Sequence, residues 1–82
     1  MTWVRLEFTI EPFVESGPPP YVTAAVEIAD KSGLEVDLGP ASTGVEGEID
    51  QVAALLPKLV AAAMAKGATR VSFQVTVAQK KR

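Results

Sequence analysis

The fold is decided by the stretch Gly33-Leu-Glu-Val-Asp-Leu-Gly-Pro-Ala-Ser-Thr-Gly-Val-Glu-Gly-Glu-Ile-Asp-Gln-Val52. Its first part alternates apolar Leu34, Val36 and Leu38 with acidic residues, which predicts a half-buried strand. Gly39-Pro40 then predicts a tight reversal, because proline has a fixed φ and no N–H donor, and glycine tolerates the backbone angles of a turn. The stretch therefore begins as one arm of a β-hairpin.

The second arm of this hairpin has an unusual composition for a strand. The segment from Ser42 to Glu48 combines hydroxyls, carboxylates and glycines, where β-branched and aromatic residues would pack better. We interpret it as a strand that contacts something other than its own core. Asp50 follows at a position suited to the N-cap of a helix.

Periodicity predicts two further strands and two helices around this hairpin. Apolar residues alternate in a first strand (Val4, Leu6, Phe8, Ile10, ended by Pro12) and in a fourth strand (Val71, Phe73, Val75, Val77). Helical stripes are formed by Val22, Ala25, Val26 and Ala29 between Pro20 and Gly33, and by Val52, Leu56, Leu59, Val60 and Ala63 up to Gly67. Pro57 lies inside the second helix, where we expect a kink or a break.

The order βαββαβ predicts an α+β ferredoxin-like fold, with a four-stranded antiparallel sheet and both helices on one face. Residues 1–82 form a single domain, in which 78–82 are expected to be a frayed basic tail. The other sheet face stays open. It carries Arg5, Glu7, Thr9, Glu35, Asp37, Arg70, Ser72, Gln74 and Thr76, joined by Ser42, Gly44 and Glu46 or by Thr43 and Val45, depending on register.

Composition narrows the possible functions. The 82 residues include no cysteine and no histidine, which argues against disulfides, zinc sites and catalytic triads, and we expect a non-enzyme without a cofactor. The net charge of −2 and a single basic cluster at 80–82 argue against nucleic-acid binding. Four carboxylates (Glu35, Asp37, Glu46, Glu48) lack the loop spacing of a Ca²⁺ or Mg²⁺ site. No segment resembles a membrane span or a signal peptide, so the cytoplasm is the expected compartment.

Three segments together resemble the small thiamine-binding-protein family. They are Thr9-Ile10-Glu11-Pro12, the stretch 33–52 with its Gly-Pro, Thr43, Glu46-Gly47 and Asp50, and Gly67-Ala68-Thr69-Arg70-Val71. The resemblance implies a ferredoxin-like fold, assembly into dimers and tetramers through strand edges and sheet faces, and binding of thiamine or its pyrimidine. The chain departs from the family pattern at Ala41, where methionine is usual, and at Ser72-Phe73-Gln74, where threonines are common.

The polar residues near the hairpin suit such a ligand chemically. A thiamine-like molecule combines an aminopyrimidine with a cationic thiazolium ring, so carboxylates and hydroxyls can bind it. The candidate ligand-binding residues are Thr9, Ser42, Thr43, Glu46, Ser72 and Gln74, with Glu46 and Thr43 as the main contacts. Glu46 can instead pair with Arg5 or Arg70 across strands, and Thr43 is an ordinary strand former.

Three aromatic residues have alternative roles. Trp3 is expected at an interface between subunits rather than as a stacking platform for a ligand. Tyr21 and Phe13 are expected to pack near the proline loop, and either can instead wall a pocket. The function indicated is a non-catalytic, oligomeric binder of thiamine or hydroxymethylpyrimidine. The alternative is a structural or regulatory assembly module without a small-molecule ligand.

Overall fold

The computed structural model describes residues 2–39 and 42–80, so the predictions for Pro40, Ala41 and the last two tail residues lie outside it. The elements are β1 (Trp3–Glu11), α1 (Pro20–Lys31), β2 (Glu35–Leu38), β3 (Thr43–Glu48), α2 (Ile49–Ala65) and β4 (Arg70–Val77). The strand order is β2-β3-β1-β4, with every neighbouring pair antiparallel. The predicted ferredoxin-like fold is confirmed.

The core lies between the sheet and the two helices. β1 is a central strand, and its side chains alternate strictly between the buried core and the half-buried open face. The buried apolar residues are Val4, Leu6, Phe8, Ile10 and Val45 from the strands, Tyr21, Ala25 and Ala29 from α1, and Val52, Leu55, Leu59 and Ala63 from α2. Small alanines in both helices allow them to pack closely on each other and on the sheet.

The register of β3 resolves the alternative left open by the sequence. Phe8 pairs with Thr43 and Leu6 with Val45, so Thr43 and Val45 face the helices. Gly44 and Glu46 lie on the open face, beside Glu7 and Arg5 of β1. The hydroxyl of Thr43 and the carboxylate of Glu46 therefore belong to opposite faces of the sheet.

The glycines of β3 make room for the protein's own side chains. A methyl group at Gly47 would stand 2.9 Å from a Leu34 methyl and 3.4 Å from one of Val52. At Gly44 the space is filled by the guanidinium group of Arg5. The interpretation of this strand as built for external contact was wrong at these two positions, because side chains of the protein itself occupy the space beside both glycines.

The helix boundaries agree with the sequence except at the start of α2. α1 begins at Pro20, and the glycines that follow each helix, Gly33 and Gly67, have φ of 80° and 105°. Glu48, not Asp50, occupies the N-cap of α2. Asp50 instead lies in the first helical turn, where its carboxylate accepts a hydrogen bond from the Gln51 amide at 3.0 Å. Its negative charge there interacts favourably with the positive end of the helix dipole.

α2 continues through Pro57 from Ile49 to Ala65, so of the kink or break expected at this proline, the break does not occur. The helices also cover less of the sheet than expected. Leu38, Val75 and Val77 have 65%, 43% and 76% of their surface exposed, although they were assigned to the covered face. These residues lie on the edge strands β2 and β4, beyond the reach of two helices that pack over the central strands.

Candidate functional site

An apolar cavity of about 340 Å³ lies where the β1–α1 loop passes over the ends of β1 and β3. We call it the loop cavity. Its walls are Phe8, Thr9, Ile10, Pro12, Phe13, Val14, Glu15, Gly17, Pro18, Pro19, Val22, Gly39, Ser42 and Thr43. Apolar walls with a few hydroxyl groups are typical of sites that bind small organic molecules.

The loop that closes this cavity is anchored at one end. The buried Tyr21 donates a hydrogen bond from its hydroxyl to the carbonyl of Pro12, which ties the first turn of α1 to the end of β1. Tyr21 thus packs at the proline loop, as expected. Phe13 follows the alternative instead, because it lines the cavity with 68% of its surface exposed. An exposed aromatic ring at a cavity wall can cover a ligand at little cost in protein packing.

A second depression, of about 250 Å³ and lined mostly by polar residues, lies on the open face of the sheet. We call it the sheet depression. It is lined by Glu7, Thr9, Ser42, Ser72, Phe73 and Gln74. The register of β1 and β4 places Thr9 opposite Ser72 and Glu7 opposite Gln74, so these side chains form adjacent cross-strand pairs. Thr9 and Ser42 line both hollows, which therefore adjoin.

The predicted site residues are distributed over two faces. Thr9, Ser42, Ser72 and Gln74 come together around the sheet depression. Thr43 is 8% exposed and lines the loop cavity from the core side. Glu46 lines neither hollow.

Glu46 belongs to a separate polar cluster on the open face. Its carboxylate accepts hydrogen bonds from Trp3 Nε1 at 3.0 Å and from Arg5 Nη1 at 3.2 Å. Arg5 also donates from Nη2 to Asp37 at 3.2 Å. The hydrogen bond that Arg5 donates to Asp37, more than the one it donates to Glu46, raises the pKa of the Arg5 guanidinium, so the cluster holds a permanent cation among carboxylates. The cross-strand pairing of Glu46 with Arg5, the alternative weighed above, is present.

Two other contacts hold Trp3 at the edge of this cluster. The ammonium group of Lys80 lies 5.2 Å from the centre of the Trp3 ring, within the range of a cation–π interaction. The Ala78 amide also donates to the Trp3 carbonyl at 3.0 Å, so backbone pairing extends past the end of β4. The indole is thus in contact with the protein's own charged groups.

Glu7 is the site residue that the sequence reasoning missed. It was placed on the open face but was not among the candidate ligands. In the structure Glu7 borders the sheet depression, and its side chain is 44% exposed. A signal was present in the sequence, because Glu7 stands two residues before Thr9 in the same strand and so shares its face. Glu15 in the loop was missed as well, since nothing in the sequence shows which loop side chains turn toward the cavity.

Neither metal binding nor membrane insertion has support in the part of the chain that the structure describes. No group of three or more Asp or Glu side chains there is arranged to hold a metal ion. Neither of its helices combines the length and apolar character that crossing a bilayer requires.

The sequence and fold assign the chain to a class. The sequence model of the thiamine-binding protein family matches residues 6–82. The chain belongs to this family of small ferredoxin-like proteins, and the resemblance drawn from its motifs is confirmed. No curated protein sequence matches it significantly.

Several solved structures share the fold. A domain of unknown function from Bacillus cereus is 22% identical, with a TM-score of 0.71 over 96% of this chain and 77% of that one. A hypothetical protein from Methanocaldococcus jannascii is 23% identical, with a TM-score of 0.71 over 99% and 84%. A protein from Thermotoga maritima, described as a candidate for thiamine biosynthesis or salvage, is 23% identical with a TM-score of 0.59 over 95% and 84%. At these identities the likeness concerns the fold.

Proposed function

We propose that the protein binds thiamine, or its hydroxymethylpyrimidine part, without catalysing a reaction on it. Membership of the thiamine-binding protein family supports this ligand class, and a structural relative described in terms of thiamine biosynthesis or salvage agrees with it. The proposed site is the loop cavity together with the sheet depression.

The observation that carries the proposal is that a hollow lined mostly by apolar residues and a hollow lined mostly by polar residues adjoin at Thr9 and Ser42. Thiamine has a matching division, since its flat aromatic pyrimidine is joined to a cationic ring. We place the pyrimidine in the loop cavity, where Phe13 and Val22 offer apolar surface and Thr43 offers a hydroxyl. The thiazolium ring then points toward Glu7 and Gln74 in the sheet depression.

The polar groups are suited to the pyrimidine in number and type. A hydroxyl can donate to a ring nitrogen and accept from the amino group, so the three hydroxyls of Thr9, Ser42 and Thr43 can satisfy both kinds of ligand atom. Ser72 extends this set on the open face, opposite Thr9. Glu46 is assigned to positioning Trp3 and Arg5 in this arrangement, not to the ligand.

The protein is further proposed to act as a homo-oligomer. Both edge strands expose large apolar side chains, Leu38 on β2 and Val75 and Val77 on β4. Exposed apolar edges favour pairing with another strand, and closed symmetric assemblies are the usual outcome.

Isothermal titration calorimetry tests the ligand. Thiamine and hydroxymethylpyrimidine are titrated separately into the protein, with an unrelated amine such as ethanolamine as the control. We expect saturable heats for the first two and none for the amine. If neither vitamin compound binds to folded protein, the ligand proposal is wrong, and a structural or regulatory assembly module becomes the better description.

A further inference from the structure

The described walls of both hollows contain acidic side chains and no basic ones. Glu7 borders the sheet depression and Glu15 borders the loop cavity, and no lysine or arginine from residues 2–39 and 42–80 lines either hollow. Sites that bind phosphate groups normally supply Arg, Lys or the N-terminus of a helix. Among the described residues neither hollow offers basic side chains for that purpose. The start of α1 borders the loop cavity, but Pro20 has no N–H there, and the Val22 and Thr23 amides donate to the Pro19 carbonyl.

Arg5 and Arg70 share the open face with the sheet depression, and each is paired with a carboxylate, Arg70 with Glu11 at 3.9 Å. Arg5 is the neighbour of Glu7 on the open face, but its Nε atom lies 4.0 Å from the Glu7 carboxylate, at the outer limit of an ion pair. Its two terminal nitrogens donate to Glu46 and Asp37 on β3 and β2. The guanidinium lies over Gly44, the residue opposite Glu7, so its single positive charge is shared among the carboxylates of Glu7, Glu46 and Asp37 and the cluster keeps a net negative charge.

We infer that the site selects the unphosphorylated, cationic form of its ligand and rejects the phosphate esters, with Glu7 as the main specificity-determining residue. This inference rests on the function proposed above. A phosphate monoester carries a charge of about −1.5 to −2 at neutral pH, so at the thiazolium end of the ligand it would meet Glu7 as a like charge. Rejection of a charged competitor by a like charge is a common source of specificity, and it acts here on the part of thiamine that lies farthest from the pyrimidine.

The test compares three ligands by calorimetric titration of the intact protein at low salt. These are thiamine, thiamine monophosphate, and the acetate ester of thiamine, which adds bulk at the same oxygen without a negative charge. We expect thiamine monophosphate to bind about tenfold more weakly than thiamine, or worse, since like charges at a binding site disfavour association strongly. The acetate ester should bind within about threefold of thiamine, and added NaCl should narrow the gap for the phosphate ester.

Variants then assign the effect to a residue. Glu7→Gln should weaken thiamine binding by about tenfold, as for a lost charge-assisted contact, and bring the phosphate ester within about threefold of thiamine. Glu27→Gln is the matched control, because Glu27 is exposed on α1 and lines neither hollow. It should preserve both affinities. Circular dichroism melting of each variant verifies that the fold is intact.

The outcomes separate this inference from the proposed function. Equal affinity for thiamine and its monophosphate overturns the inference and leaves thiamine binding in place. An unchanged preference in a folded Glu7→Gln, Glu15→Gln double variant also overturns it, because the rejection would then come from shape. Failure of the parent protein to bind thiamine at all overturns both.

Discussion

The guanidinium group of Arg5 occupies the space directly above Gly44, where a side chain at position 44 would stand. Gly44 lies on β3 between Glu7 of β1 and Asp37 of β2. A methyl group added there would lie 2.7 Å from Arg5 Cζ, well inside contact distance. The missing side chain therefore allows an arginine on β1 to cross β3 and reach Asp37 on β2 at 3.2 Å.

Gly44→Ala should displace this guanidinium and weaken its hydrogen bond to Asp37. We expect a loss of about 1 kcal/mol in the free energy of unfolding, within the usual range for one hydrogen bond, measured by urea denaturation at fixed protein concentration. The matched test is the same substitution in an Arg5→Ala background, where the new methyl meets no guanidinium. A loss of the same size in both backgrounds would show that Arg5 is not the cause.

Pro57→Ala should stabilise the protein. Proline in a helix interior costs about 3 kcal/mol, because it cannot donate to the carbonyl four residues earlier and clashes with that turn. This gain is reduced by about 0.4–1 kcal/mol, because the more flexible alanine raises the entropy of the unfolded chain. Pro57 is exposed, so no core contact is lost. The expected net gain is about 2 kcal/mol in thermal or urea unfolding.

The neighbouring substitution Lys58→Ala serves as the control for Pro57→Ala. Lys58 is also exposed in α2, and surface changes of this kind usually stay within about 0.5 kcal/mol. A destabilised Pro57→Ala variant would mean that Pro57 stabilises α2 locally by more than its expected penalty.

The fold could be predicted from the sequence because its signals are local and repeated. Period-2 alternation in β1 and β4, Pro20 at the start of α1 and glycine after each helix all report on backbone conformation within a few residues. The cap of α2 was missed because side-chain preference favours Asp50 over Glu48, whereas Glu48 occupies the N-cap without a side-chain capping hydrogen bond. The exposure of Val75 and Val77 depends on how far the helices reach over the sheet, which no local pattern encodes.

The site was harder to predict because it depends on register and on a loop. A shift of one residue exchanges the two faces of a strand, and so the sequence could not decide whether Thr43 or Glu46 shares a face with Thr9. Phe13 lines the cavity only because the proline loop folds back over β1. The role of Gly44 was also hidden, since a glycine that accommodates a ligand and one that accommodates an arginine have the same sequence signal.

Glu46→Gln should separate structure from binding. The substitution weakens the charge-assisted hydrogen bond from Arg5, and for such a partly exposed pair we expect a loss of about 1 kcal/mol, or about 4–8 °C in the melting temperature. The thiamine affinity should stay within about twofold of the parent value, because only the loss of a direct contact with the ligand typically weakens binding by more than this. A folded variant that lost about tenfold in affinity would return Glu46 to the binding site.

Val77→Lys should weaken self-association. The parent protein is expected to elute as an oligomer, most simply a tetramer, in size-exclusion chromatography with light scattering. A lysine at this exposed position on β4 places a charge in an apolar edge, a common way of preventing strand pairing. Leu38→Lys makes the same change on the opposite edge strand, β2, and shows which edge is used. A monomeric parent protein would contradict the assembly proposal.

Thr43→Val should weaken ligand binding while the protein stays folded. Thr43 is buried at the wall of the loop cavity, and valine keeps its shape but removes the hydroxyl proposed to bond the pyrimidine. Loss of one neutral hydrogen bond corresponds to about 0.5–1.5 kcal/mol, or roughly two- to tenfold in the dissociation constant for hydroxymethylpyrimidine. Thr76→Val is the matched control, because Thr76 lies in β4 on the open face and lines neither hollow. Equal affinities for both variants and the parent, measured by calorimetry, would place the pyrimidine away from Thr43.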